Sequence, residues 1–386
     1  MWRHIASNAL TLFIAILIVG VGMIAWGKRE FSQPGPLEQA VCLKVDKGSN
    51  FSRVSDRLSD MGAISSASIF RVGIEYSDKS SLLKAGSFLV PEGASMSEIL
   101  DIVTRGGAST CGTEILYRVG VLTAVMQVRE LDPATQEYSV STEFKPAELE
   151  GALPENYVAM RAEDDTRYRI AIAEGVTSWQ IVESLKLADF MSGDVAEVPS
   201  EGSLAPDSYE VRPGAKRADL IAAMQASQDA ILSAAWEARA EGLPYDSPEQ
   251  ALIMASIVEK ETGVAAERRQ VASVFVNRLN KSMRLQTDPT VIYGITKGQG
   301  ALGRGLRQSE LRRETPFNTY VIDGLPPSPI ANPGRQAIEA ALNPDQTDFL
   351  FFVADGTGGH AFATTLQEHN ANVAKWRELE AQRANQ

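Results

Sequence analysis

Two glutamates, Glu259 and Glu261, close an almost wholly apolar run, Ala255-Ser256-Ile257-Val258-Glu259-Lys260-Glu261-Thr262. A polar segment follows downstream, Met283-Arg284-Leu285-Gln286-Thr287-Asp288-Pro289-Thr290. A carboxyl group at such a boundary is only partly solvated. Desolvation disfavours its charged form and raises its pKa, which is what a general acid working near neutral pH needs.

The element that must carry these carboxyls is a helix. Ser247 is a good N-cap, Pro248 suits the first helical position, and Gln250 stands where a capping box wants Glu or Gln. Leu252, Ile253, Met254, Ile257 and Val258 leave no polar face, so the helix is expected to be buried. At about 100° per residue, Glu259 shares its face with Leu252, Ala255, Ser256, Thr262 and Gly263, whose mostly small side chains leave room for a ligand. Glu261 points roughly the opposite way, toward Met254, Ile257 and Val258, so the two do not make a natural pair on one ligand. Glu259 is the candidate acid. The competing reading is a buried glutamate neutralised by Arg278 or Arg284. Glu261 is its rival, although an apolar face suits a structural pair better.

These residues belong to a longer series of blocks. They are Ser256 to Thr262, Val271 to Leu279, Leu285 to Gly294, Glu314 to Tyr320, Gly324-Leu325-Pro326-Pro327, and Phe352 to Gly356 running on to Gly359-His360. In combination and in this order, the region from Leu252 to Asn370 resembles the YceG-like endolytic murein transglycosylases, and the likeness extends more weakly toward the N-terminus. The resemblance implies cleavage of the β-1,4 bond between N-acetylmuramic acid and N-acetylglucosamine without water. It also maps the catalytic glutamate onto Glu259. One carboxyl protonates the leaving oxygen and then takes the proton of the muramoyl C6 hydroxyl, which closes a 1,6-anhydro ring. Ordinary glycosidases need two carboxylates; here the nucleophile belongs to the substrate. Two other readings stay open: a muramidase in which Asp288 activates water, and a non-catalytic glycan-binding scaffold.

Around that acid, Gln286, Thr287 and Asp288 are expected to hold sugar amides or to stabilise oxocarbenium charge, unless the Asp-Pro pair merely starts a helix. Gln286 and Asn318 suit N-acetyl groups. Tyr293 and Tyr320 suit sugar stacking or the core. His360 and Thr364 lie on an expected β-hairpin, Phe349 to Ala354 and His360 to Thr364, and either line the cleft or serve the fold.

The 386-residue chain allows two or three domains. A net charge of −12 makes nucleic acid a poor partner. Charge is uneven, however: basic residues outnumber acidic ones between Leu252 and Tyr320, which suits an anionic polymer such as peptidoglycan or simply a solvated face. Cys42 and Cys111 either form a disulfide in an oxidising compartment or stay as buried thiols. With three histidines and no CxxC spacing, no metal site is expected. Gly303-Arg304-Gly305 is too weak for a nucleotide fingerprint, no Ser-His-Asp order stands out, and no cofactor is expected.

Leu10 to Trp26 is apolar apart from Thr11 and is flanked by Arg3 and Lys28-Arg29, which favours an uncleaved single-pass anchor over a signal peptide. The expected organisation is a short cytoplasmic N-terminus (1–9), a transmembrane anchor (10–27) and a linker (28–39). A small module (40–110) and an acidic insertion (121–166) follow. A second α+β module with a connecting helix (167–245) then leads to the catalytic domain (246–386). The fold class is α+β. Two stretches read as weak repeats of strand, turn, helix, strand, Gly and helix, one from Val41 to Leu100 and the other from Tyr168 to Ile221. Glu114 to Val119 resembles Tyr168 to Ile172, as if the insertion interrupted one strand site; it reads as a hairpin excursion or a partly disordered arm. The first module resembles LysM domains, which bind glycans; it either contacts glycan or serves as a spacer or packing element. The family resemblance further implies an inner-membrane protein with its catalytic body in the periplasm, working near peptidoglycan synthases.

Overall fold

The computed structural model describes residues 2–105 and 109–384, and the side chains of residues 8–105 and 109–383. Met1, part of the expected cytoplasmic segment, lies outside the described residues. Contacts divide the chain into two compact units. The first holds Met1–Ile115, Gln127–Glu143 and Gly151–Arg167; the second holds Leu116–Met126, Phe144–Glu150 and Tyr168–Gln386.

In the first unit α1 (Trp2–Ser32) is one continuous helix. Its Asn8–Ser32 portion is long and apolar enough to cross a membrane. From Leu10 to Trp26 its large side chains stand exposed. The helix runs through residues expected to form the linker, because Phe31 stacks on Phe70 with ring centroids 6.3 Å apart and ends the helix in the module's core. Gly35 and Gly93 then exchange backbone bonds with their surroundings, Gly35 N to Gly93 O at 3.0 Å and Gly93 N to Leu37 O at 2.9 Å.

The module itself runs β1 (Val41–Val45), α2 (Phe51–Asp60), α3 (Ala67–Tyr76), β2 (Gly86–Val90) and α4 (Met96–Thr104). Strands β1 and β2 pair antiparallel, with Leu43 opposite Phe88. Leu43, Leu58, Phe70 and Ile99 are fully buried beneath the helices. Each helix starts on a side-chain cap: Asn50 for α2, Ser66 for α3, and Ser95 with Glu98 as a capping box for α4. Cys42 on β1 is joined to Cys111 by a disulfide, with Cα atoms 5.6 Å apart.

The insertion is ordered β-structure rather than a loose arm. After β3 (Thr113–Val119) come β4 (Ala124–Leu131), β5 (Tyr138–Phe144), α5 (Glu155–Arg161) and β6 (Arg167–Ile172). With β7 (Ser208–Val211) these strands form a five-stranded sheet in the order β5-β4-β3-β6-β7. The two similar strand sequences thus become sheet neighbours, β3 and β6. Within the first unit, buried Glu114 is paired with Arg129 and lies 3.9 Å from Arg167. Both guanidiniums face the ring of Tyr138, at 4.0 and 5.9 Å.

In the second unit, β6 pairs antiparallel with β7, with Ile170 opposite Tyr209. Between them lies α6 (Ser178–Lys186), started by a Thr177–Gln180 capping box. Helix α7 (Arg217–Glu237) leads to α8 (Pro248–Glu261), α9 (Arg268–Asn280), α10 (Asp288–Thr296), α11 (Gln308–Arg312) and α12 (Arg335–Leu342). The hairpin β8 (Phe351–Ala354) and β9 (His360–Ala363) pairs as expected, and α13 (Leu366–Ala384) closes the described chain. Met254, Ile257 and Val258 of α8 form the centre of this unit's core with Phe275 of α9 and Ile338 of α12. Alanines 251, 255, 340 and 341 are buried beside them, small enough to let α8 and α12 pack closely.

The disulfide generates a prediction for the first unit. It closes a loop across a sequence separation of 69, worth about 4 kcal/mol of loop entropy. Cys42→Ser is expected to lower the unfolding midpoint of this unit in urea, and reductant is expected to do the same to the wild type. An unchanged midpoint in both would show that the module's core stands without the bridge.

Candidate active site

Helix α8 begins as its sequence dictates, with Ser247 Oγ accepting from Gln250 N at 3.4 Å and Pro248 in the first turn. Every residue from Ile253 to Val258 is buried. The two carboxyls emerge in the last turn, where the negative end of the helix dipole opposes ionisation of either. They find different partners. Glu259 Oε2 accepts a hydrogen bond from Gly334 N at 3.0 Å. Glu261 accepts one from the Thr287 hydroxyl. The opposite faces read from the helical period are therefore two separate environments.

Burial pushes the Glu259 carboxyl above the usual glutamate range; the nearby charge of Glu174 adds to this, while the Gly334 amide, Arg268 and Lys260 oppose it. The neighbouring cations are thus Lys260 and Arg268, and not Arg278 or Arg284. Arg278 turns instead to the carbonyls of Leu350 and Leu285. Arg284 pairs at the surface with Asp323 at 3.0 Å.

The donor on Glu259 is positioned by an unusually well-tied segment, Ile330 to Gly334. Ile330 N donates to Ser256 Oγ at 3.0 Å, on the same helical face as Glu259. Asn332 is completely buried. Its backbone exchanges bonds with the β6–α6 turn, N to Val176 O at 3.1 Å and O from Gly175 N at 2.9 Å. Its side-chain amide donates to Val176 O at 2.9 Å, and its carbonyl accepts from Leu204 N at 2.9 Å. Gly334 has no room for a side chain, because a Cβ there would collide with the Glu174 carboxyl. Two carboxyls, Glu259 and Glu174, therefore converge on Gly334.

A further buried carboxyl supports the same junction. Glu201 accepts from Ser178 N at 2.8 Å, from the Tyr293 hydroxyl at 3.2 Å and from the Asn332 amide at 3.4 Å. Its pKa too is raised by burial. Lys260 extends from α8 to donate to Gly175 O at 3.2 Å, and burial lowers its pKa. Lys260 also lines a cleft of about 340 Å³ with Thr177, Gln180, Tyr293 and the glycine-rich loop that includes Gly298 and Arg304. Thr177 holds that loop through Gly298 O at 2.6 Å.

Of the residues expected to contact substrate, Tyr293 is the one that lines this cleft, its ring 5.1 Å from that of Phe317. Thr287 and Asp288 gather around Glu261 instead. Thr287 is the N-cap of α10, so the Asp-Pro pair does start a helix. Asp288 accepts from the Tyr320 hydroxyl at 2.7 Å, and its charge helps burial to raise the Glu261 pKa. Gln286 is exposed, in a left-handed conformation with φ 50°, and its N–H donates to Thr319 O at 3.0 Å. Asn318 is buried and organises a loop, its amide donating to the carbonyls of Glu310, Leu311 and Arg313. His360 is held by Glu267, which accepts from its backbone N–H and contacts Nδ1, both at 2.9 Å. Thr364 donates to Glu368 at 2.9 Å at the start of α13. Sequence reading passed over Glu174, Glu201, Asn332 and Gly334. The Asn-Pro-Gly run before a helical pattern was the one local signal for this segment.

A raised folded-state pKa has a definite consequence for stability. The unfolded chain releases the Glu259 proton at a lower pH than the folded chain does, so stability falls as pH rises from the ordinary glutamate value toward the folded one. About 1.4 kcal/mol is involved for each tenfold change in proton affinity. Glu259→Gln keeps an acceptor for Gly334 and removes the charge. The variant is expected to be more stable than wild type at pH 7, with the difference closing near pH 4. Urea denaturation at both pH values measures it.

Comparison with known proteins bears on what such a site does. The YceG-like family pattern matches residues 134–375. An endolytic murein transglycosylase of Bacillus subtilis (strain 168) is 30% identical over 371 residues, covering 93% of this chain and 91% of that protein. One from Streptococcus pneumoniae serotype 2 is 30% identical over 343 residues, covering 87% of this chain, which spans 58% of that longer protein. A solved structure of a YceG-like protein from Listeria monocytogenes is 24% identical, with 86% and 98% of the two chains covered and a TM-score of 0.45. By the extent of the family match and by an identity sustained over nearly the whole chain, this protein belongs to the YceG-like family.

Proposed function

We propose that this protein is an endolytic lytic transglycosylase that cuts peptidoglycan strands between N-acetylmuramic acid and N-acetylglucosamine, with Glu259 as the acid and base. The observation that carries the assignment is the Glu259 carboxyl itself. It is half-buried, held by one backbone amide and raised in pKa, and it adjoins a residue that lines a cleft. Family membership and the names of the two relatives agree with it.

The reaction follows from that arrangement. Protonated Glu259 gives its proton to the glycosidic oxygen as the bond to muramoyl C1 breaks and oxocarbenium charge develops. The carboxylate left behind is stabilised by the Gly334 N–H and by Lys260 and Arg268. It then accepts the proton of the C6 hydroxyl as that oxygen bonds to C1. Glu259 ends protonated, no water is consumed, and the product carries a 1,6-anhydro end. Glu261, more deeply enclosed and held by Thr287, serves as a structural group beneath α10. Gln286, Asp288, Tyr293 and Asn318 remain candidates for substrate contact, Tyr293 directly from the cleft and Asn318 through the loop it holds. For His360 and Thr364, the bonds to Glu267 and Glu368 favour a supporting role.

A muramidase would need a second carboxylate near the acid, and Glu174 beside Gly334 is better placed for that than Asp288, which sits with Glu261. The products separate the two reactions. Glycan strands digested by wild type are expected to yield anhydro ends by mass spectrometry. Glu259→Gln is expected to lower the rate about 10³-fold, the scale of a lost general acid. Gly334→Ala, which displaces the carboxyls, is expected to cost about a hundredfold. Reducing ends would assign hydrolysis, and full activity in Glu259→Gln would move the chemistry to another residue.

For the remainder of the chain, the strand-helix-helix-strand order of β1, α2, α3 and β2 supports a LysM-like, glycan-contacting role for the first module. α1 is assigned as an uncleaved anchor in the cytoplasmic membrane. The catalytic body then faces the periplasmic side, where nascent strands emerge from peptidoglycan synthases.

A further inference from the structure

A cavity of about 650 Å³ opens between α7, the start of α9 and α12, all within the second unit. That size falls in the ordinary range for small-ligand sites. Its apolar floor is formed by Ile231 and alanines of α7 and α12, and its polar wall carries three guanidiniums, Arg268, Arg269 and Arg335. Gln336 and Asn343 add amides, and Glu339 is the sole acidic lining residue. Arg268 and Arg335 are also the first residues of α9 and α12, so two helix N-termini add partial positive charge. Arg268 is 5% exposed, and its Nε has no partner among the described residues. The site is therefore built to stabilise negative charge.

The cavity also shares residues with the catalytic centre. Arg335 follows Gly334, whose N–H holds Glu259. Arg268 turns one edge toward Glu174 at 3.9 Å and its charge acts on Glu259, while its other nitrogen donates to Gln336. Of the three arginines, Arg268 is fixed in the wall and supplies field; Arg269 and Arg335 are exposed. The Arg269 pair with Asp345, at 3.1 Å and with side chains 57% and 38% exposed, is of the weak kind that a better anion displaces.

A substrate whose muramoyl C1 stands at Glu259 carries its own anions close by. The peptide stem leaves the same sugar ring through the lactyl group and bears carboxylates along an aliphatic backbone. We infer that the Arg268–Arg269–Arg335 cavity binds the carboxylates of that stem and so selects strands that still carry peptides. The inference rests on the assignment of Glu259 above. Bidentate guanidinium–carboxylate pairing supplies the recognition, and the alanine floor receives the aliphatic part.

The test uses the full-length protein in detergent and two substrates, peptide-bearing strands and strands stripped of peptide by an amidase. Wild type is expected to show a KM about tenfold lower on the peptide-bearing strands. The Arg269→Gln/Arg335→Gln double variant is expected to bring the ratio of the two KM values close to one, with each single variant in between. A ratio of one in wild type, or a preference that survives in the double variant, would overturn the inference. Binding is read independently by anisotropy of a fluorescein-labelled stem tetrapeptide, expected to weaken about tenfold in the double variant. Displacement of that probe by an equal concentration of inorganic phosphate would make the cavity a general anion site and overturn the assignment to peptide stems. If wild type released no anhydro ends from either substrate, the transglycosylase reading would fail, and the anisotropy result would still decide the peptide site.

Discussion

The bond from Gly334 N–H to Glu259 is the interaction around which the second unit is arranged. A carboxyl in the last turn of a buried helix has burial and the helix dipole against its ionisation. Both effects raise its affinity for a proton. One backbone amide, with two cations nearby, opposes that effect and favours the ionised form. That balance is what a group needs if it must be an acid first and a base afterwards. The amide acts at no reorganisation cost because Asn332 fixes the segment through both its backbone and its side chain.

The same helix end carries a second carboxyl with a different role. Two residues along a helix amount to roughly 200°, so Glu261 meets Thr287 and the start of α10 while Glu259 meets Gly334. Thr287, Thr290 and Thr319 form a buried hydroxyl cluster there, with Thr290 and Thr319 at 2.9 Å. One member of this polar loop, Thr287, thus also satisfies a buried glutamate. The polar character is real, but a large part of it faces inward.

Charge placement in the second unit follows a comparable logic. The basic residues concentrated between Leu252 and Tyr320 do not all form a solvated face. Arg278 is consumed by backbone carbonyls, Arg304 by Glu310, and Arg284 by Asp323. Arg268 and Arg269 stand with Arg335 around a cavity of about 650 Å³, and the charge of Arg268 also acts on Glu259. A regional excess of positive charge becomes specific only when the fold decides which cations keep their charge available.

Local sequence determined a good deal. The caps and apolar run of α8 fixed that helix, its burial and the opposite faces of its glutamates; two short runs flanking a Gly-rich turn marked the β8–β9 hairpin; and the apolar stretch from Leu10 fixed a span-length helix. These features are legible because each is written within one or two turns of chain. Other features depended on residues far apart in sequence that only packing brings together. The choice between disulfide and free thiols for Cys42 and Cys111 needed their strand and loop to meet. The acidic insertion holds the strands β4 and β5, and Glu114 meets Arg129 and Arg167, which are distant from it in sequence. Asn318, His360 and Thr364 carried the right chemistry for a sugar site, yet nearby carbonyls and carboxylates engage them. Gly334, Asn332, Glu201 and Glu174 gave little local sign of their roles, since a backbone donor, a close approach and a buried network exist only where separate segments touch.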